Sequence, residues 1–180
     1  MRVTSPGPDP AREEFRGSVD GQTPRPPLTL VTRERLHSAL DLGVRSPLTL
    51  VVAPAGTGKT VLLSDWVLRR RRSAKPVVWV PGQTPKVLHE FLERAEGTGG
   101  ALVPDPIVVD DAHLLPPATV AEVSRVLQRA PQAVRLLFAT RYDLPLPVPE
   151  LEVQGMALTL RSRDLRFNDA EATALVQAHA

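Results

Sequence analysis

Three short runs carry the residue types best suited to chemistry: Ala53-Pro-Ala-Gly-Thr-Gly-Lys59-Thr60, Ile107-Val-Val-Asp110-Asp111 and Leu136-Leu-Phe-Ala-Thr140-Arg141. In the first, Gly56 and Gly58 let the backbone curl so that successive N–H groups converge on a phosphate, and a helix N-terminus behind them adds its positive end. The binding loop is read as Pro54, Ala55, Gly56, Thr57, Gly58, Lys59, Thr60 and Val61. Lys59 supplies a flexible cation for the β and γ phosphates, and the Thr60 hydroxyl supplies a ligand for Mg²⁺. The run departs from the standard P-loop pattern at Ala53, where the first glycine would stand, at some loss of backbone freedom.

The second run is a Walker B element. Asp110 would hold Mg²⁺ directly or through water, and Asp111 would orient and deprotonate the attacking water. The same pair could instead form a turn or cap the helix that Pro116 opens. In the third run, Thr140 and Arg141 stand where a sensor of the γ phosphate belongs. The Arg141 guanidinium is a good fork for phosphate oxygens, and a solvated strand-end arginine is the competing reading. His113 either relays the nucleotide state or caps a loop.

These runs need a scaffold that brings strand ends together. Leu48–Ala53, Val77–Val80, Ile107–Val109 and Leu136–Ala139 are continuous apolar runs, as expected of strands covered on both faces of a parallel sheet. Helical spacing marks Arg33–Leu42, with Gly43 as its stop, and Lys59–Arg72, Pro85–Ala95 and Pro116–Ala130. A fifth strand, Met156–Leu160, and a final helix, Asp169–Ala178, complete an alternating order. Alternation requires crossover connections. The fold class is therefore α/β, a doubly wound, mostly parallel five-stranded sheet with helices on both faces and ligands at the carboxyl ends of the strands.

Residues 1–27 hold many turn formers and few large apolar side chains, so they read as a disordered Pro/Gly-rich tail ahead of a domain at 28–180. In the domain, Trp66 and Trp79 read as core, Arg69–Arg72 as a solvated basic helix end, and Leu144–Pro149 as a rigid Pro-rich bridge between strand and helix. With 180 residues, 42% of them hydrophobic, the chain can build a core without help from metals or disulfides. The absence of cysteine excludes disulfides, thiolate zinc sites and Cys nucleophiles. A formal charge of +2 gives no argument for nucleic acid. No apolar run reaches the roughly 18 to 20 residues of a membrane span, and the first 30 residues have no signal-peptide core, so the expected location is cytoplasmic.

Together with Thr32-Arg-Glu-Arg-Leu36, Leu63-Ser-Asp-Trp66, Val109-Asp-Asp-Ala-His113 and Leu165-Arg-Phe167, the motifs make Val31–Ala180 resemble the ATPase domain of large MalT-like, LuxR-type bacterial regulators. These belong to the STAND class of signalling P-loop ATPases. The resemblance implies an ATP-driven switch, with ADP in a closed resting form and ATP permitting oligomerisation. It also implies ATP rather than GTP, in keeping with the lack of an Asn-Lys-x-Asp motif, and it places Arg33 and Arg35 near the adenine. The catalytic set is then Asp111, Lys59 and Arg141, with Thr60 and Asp110 as metal ligands. Partners are ATP and either another protein or a second copy of the chain. The stretch between Lys59 and Asp110 is shorter than in the family, and Pro81-Gly-Gln-Thr-Pro85 replaces its acidic stretch. The lid, sensor and helix-turn-helix domains of the family have no counterpart in these residues, so no element here reads DNA. Slow hydrolysis, an interaction module without turnover, and a degenerate fragment are the three functional readings.

Overall fold

A computed structural model describes residues 23–27, 29–73, 76–97 and 105–178. Most of the expected tail, residues 1–22, lies outside them. The chain order is α1 (Glu34–Gly43), β1 (Leu48–Val52), α2 (Lys59–Arg72), β2 (Val78–Pro81), α3 (Lys86–Gly97), β3 (Ile107–Asp110), α4 (Pro117–Arg129), β4 (Leu136–Thr140), α5 (Val148–Val153), β5 (Ala157–Arg161) and α6 (Asp169–Ala178). All four strand pairings are parallel, and the sheet order is β2-β3-β4-β1-β5. This is a doubly wound α/β fold, a parallel five-stranded sheet with helices on both faces.

The strands read as unbroken apolar runs because alternate residues feed two different cores. On one face, Leu48, Leu50, Ile107, Val109, Leu136 and Phe138 pack with side chains of α3, α4 and α5. On the other, Val51, Val108, Leu137 and Ala139 pack with α1 and α2. Trp66 and Trp79 are fully buried in this second layer, as the sequence leads one to expect. Trp66 also donates its indole N–H to Asp41 Oδ1 at 3.1 Å, so the polar end of a core aromatic is satisfied.

Two local readings change. The Arg69–Arg72 run is largely engaged: Arg69 pairs with Glu34, and Arg70 pairs with Asp41 at 2.9 Å while lying over the Trp66 ring. Arg71 donates to Val77 O at 3.4 Å. Arg69 and Arg72 remain exposed to water all the same, and it is Arg70 that its aromatic and acidic partners cover. The Pro-rich bridge leads into α5, a helix too short for its periodicity to register in the sequence, with a proline in its first turn.

The β2–α3 loop sets how closely β2 approaches β3 at the tip of the sheet. Gly82 N donates to Asp110 O at 2.7 Å, and a Cβ at Gly82 would overlap the carbonyl oxygen of Asp111. Backbone has nowhere to retreat at this contact. Gly82→Ala is expected to lower the unfolding free energy by about 1–3 kcal/mol, and denaturant titration beside the wild-type chain checks it.

Candidate functional site

The loop at residues 53–58 runs from the end of β1 into α2. Gly56 and Gly58 take φ of 79° and 80°, a region that side chains disfavour. Gly58 is the N-cap of α2 and offers no side-chain cap, so the first N–H groups of that helix remain available to an anion. Ala53 is buried and does not take a positive φ; its N–H donates to Thr140 O at 3.1 Å. Alanine at this position therefore costs the loop nothing in backbone strain. Thr57 Oγ1 donates to Pro54 O at 2.9 Å, which braces the turn.

The Lys59 ammonium lies inside the loop, donating to Ala53 O at 2.7 Å and Pro54 O at 2.9 Å. Burial pulls its pKa below the ordinary value, Asp111 and Asp110 pull it up, and Arg141 opposes them. Lys59, Arg141 and both aspartates thus share one electrostatic neighbourhood. The topology explains why: β4 lies between β1 and β3, so the tips of all three strands converge.

Asp110 ends β3 and is buried, with Oδ1 accepting from Thr60 Oγ1 at 3.2 Å and from the Asp111 N–H at 3.1 Å. Burial raises its pKa more than the Thr60 hydrogen bond lowers it. A buried carboxylate beside a hydroxyl is a pair of hard oxygen donors that gains from a cation, which fits Mg²⁺ with its remaining positions filled by water and phosphate. Asp111 is half-buried and takes φ of 50°, unusual for a residue with a side chain. Its carbonyl accepts from Leu114 N at 2.8 Å, opening a short 3₁₀ turn at Ala112–Leu114.

At the tip of β4 the two sensor candidates diverge. Thr140 is fully buried and donates to Tyr142 O at 2.8 Å, which turns its hydroxyl into the following loop. Arg141 is exposed and makes no hydrogen bond or ion pair with a described residue. His113 is edge-on to Tyr142 with ring centroids 5.7 Å apart.

A cavity of about 320 Å³ adjoins the loop, lined by Gly56, Thr57, Gly58 and Val61 and walled by Val31, Arg33, His37 and Phe167. Pro27, the last residue of the expected tail, lines it too. Arg33 lies against this cavity. Its guanidinium is held by Leu165 O at 2.6 Å, Arg166 O at 2.9 Å and Glu171 at 3.4 Å, and lies 4.5 Å from the Phe167 ring centroid. Arg35 does not line the cavity; it binds Asp164 O at 2.6 Å and Glu171 at 3.2 Å. Both arginines fasten the segment after β5 to the start of α1.

His37 and Asp65 also line the cavity; Asp65 stands in the Leu63-Ser-Asp-Trp66 run but was given no role, and His37 went unremarked. A histidine set in the otherwise apolar stripe of Leu36 and Leu40 was the available signal. The His37 Nε2 is 3.1 Å from Asp65 Oδ2 without the alignment of a hydrogen bond, and Nδ1 is 3.3 Å from an Arg69 nitrogen.

No family model matches the chain. It is 26% identical to the HTH-type transcriptional regulator MalT of Cronobacter sakazakii over 79% of this chain and 19% of the regulator. It is 25% identical to the serine/threonine-protein kinase PknK of Mycobacterium tuberculosis, over 96% of this chain and 18% of the kinase. The chain thus spans about a fifth of the length of the curated relatives it matches. Solved structures with a distant likeness include AMPPCP-bound DnaA from Aquifex aeolicus, with TM-score 0.49, 14% identity and coverage of 81% of this chain and 48% of that one. A point variant of Thermotoga maritima RuvB has TM-score 0.46, 16% identity and coverage of 81% and 49%. No helix among the described residues is long and apolar enough to cross a membrane.

Burial pushes the His37 imidazole below its ordinary 6.5, outweighing Asp65, Glu34 and Asp41, which favour the charged form, with Arg69 acting alongside burial. Unfolded chains therefore take up this proton before folded ones do. Stability is expected to fall as pH drops from about 6.5 toward the lower folded pKa. In urea titrations across that range, His37→Gln should show a shallower decline than the wild-type chain.

Proposed function

Taking a MalT-like P-loop NTPase domain as the premise, we propose that the chain binds Mg-ATP and hydrolyses it slowly, as a STAND-type switch whose ADP and ATP forms differ in shape. The observation that carries this reading is the convergence of Lys59, Thr60, Asp110 and Asp111 on the uncapped N-terminus of α2. The glycine-rich loop and Lys59 bind and orient the phosphates, and their positive charge grows in value as negative charge moves to the leaving ADP. Mg²⁺, held through Thr60 and Asp110, supplies further charge neutralisation when bound. Asp111 accepts a proton from water as the water oxygen bonds to the γ phosphorus and the bond to the β–γ bridging oxygen breaks. The products are ADP and inorganic phosphate.

Slow turnover follows from the state of the third run. Thr140 is committed to Tyr142 O, and the Arg141 guanidinium must be ordered from solvent before it can meet a phosphate oxygen. The cavity beside Gly58 is the place for the base, with Val31 and Val61 as apolar walls and Phe167 as an aromatic one. Binding of the base there would bear directly on the Arg33–Glu171 contact, which gives the nucleotide a route to the segment after β5. A partner protein or a second copy of the chain would read that change.

Equilibrium binding of a fluorescent ATP analogue with Mg²⁺, with ADP and GTP as competitors, tests this. Lys59→Ala is expected to weaken binding by about 10- to 100-fold, the value of a charge-assisted phosphate contact. Asp111→Asn should leave affinity within about twofold and slow hydrolysis by about 100-fold or more, the usual weight of a general base. Equal loss of binding in both variants would refute the division of labour. Tight, lysine-dependent binding with hydrolysis at background would instead establish a nucleotide-dependent interaction module, and no binding by a folded sample would mark an incomplete site.

A further inference from the structure

Two residues that carry a full charge, Arg33 and Asp65, line the cavity beside Gly58, and they differ in what they have left to offer. Arg33 is committed to Leu165 O, Arg166 O and Glu171. The Asp65 side chain is 22% exposed, and its Oδ2 stands 3.1 Å from the His37 Nε2 without the alignment of a hydrogen bond. Its Oδ1 has no hydrogen-bond or ionic partner among the described residues. Arg69, one turn further along α2 and well placed by spacing to pair with Asp65, is taken by Glu34. Because His37 Nε2 is buried, the carboxylate is the member of this pair that a ligand can reach.

The position of Asp65 along α2 says which part of a ligand would meet it. Gly58 caps the helix, and Val61 and Asp65 follow at three and seven positions, so all three fall on one face and line the same cavity. At the helical rise, Asp65 stands about 10 Å beyond the phosphate loop. A nucleotide with its phosphates on the helix N-terminus and its ribose passing Val61 therefore brings the far edge of its base to Asp65. A carboxylate only accepts hydrogen bonds, so it calls for an N–H at that edge. Adenine has an amine at its 6-position, where guanine has a carbonyl oxygen. Guanine offers two N–H groups elsewhere on its edge, but answering both takes both oxygens of a carboxylate, and Oδ2 is already set against His37. One open oxygen suits one amine.

We propose that Asp65 is a specificity-determining residue: its carboxylate accepts a hydrogen bond from the 6-amino group of adenine and disfavours purines with oxygen there, while His37 holds the other oxygen. This rests on the reading that the cavity beside Gly58 takes the base. A purine without the amine strips water from the carboxylate and returns nothing, which is how a site built around one hydrogen bond rejects the analogue lacking it. The phosphate loop grips any nucleoside diphosphate, so the choice of base falls to the far end of the same helix face.

The test measures dissociation constants of ADP, inosine diphosphate and purine riboside diphosphate, which has only hydrogen at the 6-position. The chains compared are the wild type, Asp65→Ala, Asp65→Asn and Lys59→Ala, with unfolding midpoints alongside. Diphosphates keep hydrolysis out of the readout. The wild-type chain should bind ADP about 10- to 100-fold more tightly than either analogue, the range of one hydrogen bond to a charged group. In Asp65→Ala, ADP and purine riboside diphosphate should come within about threefold of each other, because the interaction that separates them is gone. Asp65→Asn, whose amide can donate to an oxygen, should narrow the preference for ADP over inosine diphosphate. A purely structural role for Asp65 would weaken all three ligands alike and leave their ratios unchanged, and that result overturns the proposal, as does tighter binding of inosine diphosphate than of ADP by the wild type. Should Ala fail to fold, the Asn ratios decide. Absence of lysine-dependent binding of any of the three removes the nucleotide reading and the proposal together; lysine-dependent binding with ratios indifferent to Asp65 removes the proposal alone.

Discussion

Everything at this site depends on β4 being sandwiched between β1 and β3. Parallel strands joined by crossovers cannot place sequence neighbours side by side freely, and here the connection from β1 to β2 carries the chain past two positions that later strands fill. The consequence is that the tips of β1, β4 and β3 lie in a row, bearing the phosphate loop, Thr140 with Arg141, and the aspartate pair. Burial on both faces fixes the register of these strands, since a slip of one residue would exchange the Phe138 side of the sheet for the Ala139 side. Hydrophobic packing therefore determines where the polar tips stand, and the Thr60–Asp110 hydrogen bond is a product of that packing.

Much of this was legible in the sequence. Leu48–Val52 and Leu136–Thr140 announce themselves because doubly covered strands need apolar side chains at every position, and the phosphate loop because its two glycines sit between such a strand and a helix. Polar side chains were harder to place. Their partners come from distant segments: Arg33 and Arg35 meet carbonyls and a glutamate more than 120 positions away, and the direction of a guanidinium cannot be read from spacing. The same holds for Arg69 and Arg70, whose charge suggests water although α1 offers acidic partners. Helix α5 escaped notice because six residues are too few to establish a period.

His37 and His113 show how one physical effect serves two settings. Both imidazoles are pushed below the ordinary value by burial, and both stand beside an aspartate that pulls the other way. His37 lines the wall of a cavity, where its neutrality is a matter of packing. His113 stands next to a carboxylate at a strand tip, where neutrality leaves a single ring proton whose location determines whether the pair attracts or repels.

The clamp of Arg33 and Arg35 on Glu171 and the 164–166 carbonyls has a mechanical meaning. Phe167 is itself 45% exposed, but the chain on either side of it is held, because the guanidinium against its ring is also bound to Leu165 O, Arg166 O and Glu171. Opening that wall breaks several contacts at once and takes α6 with it. The hold on this wall therefore comes from two arginines and one glutamate more than from the aromatic ring that lines the cavity.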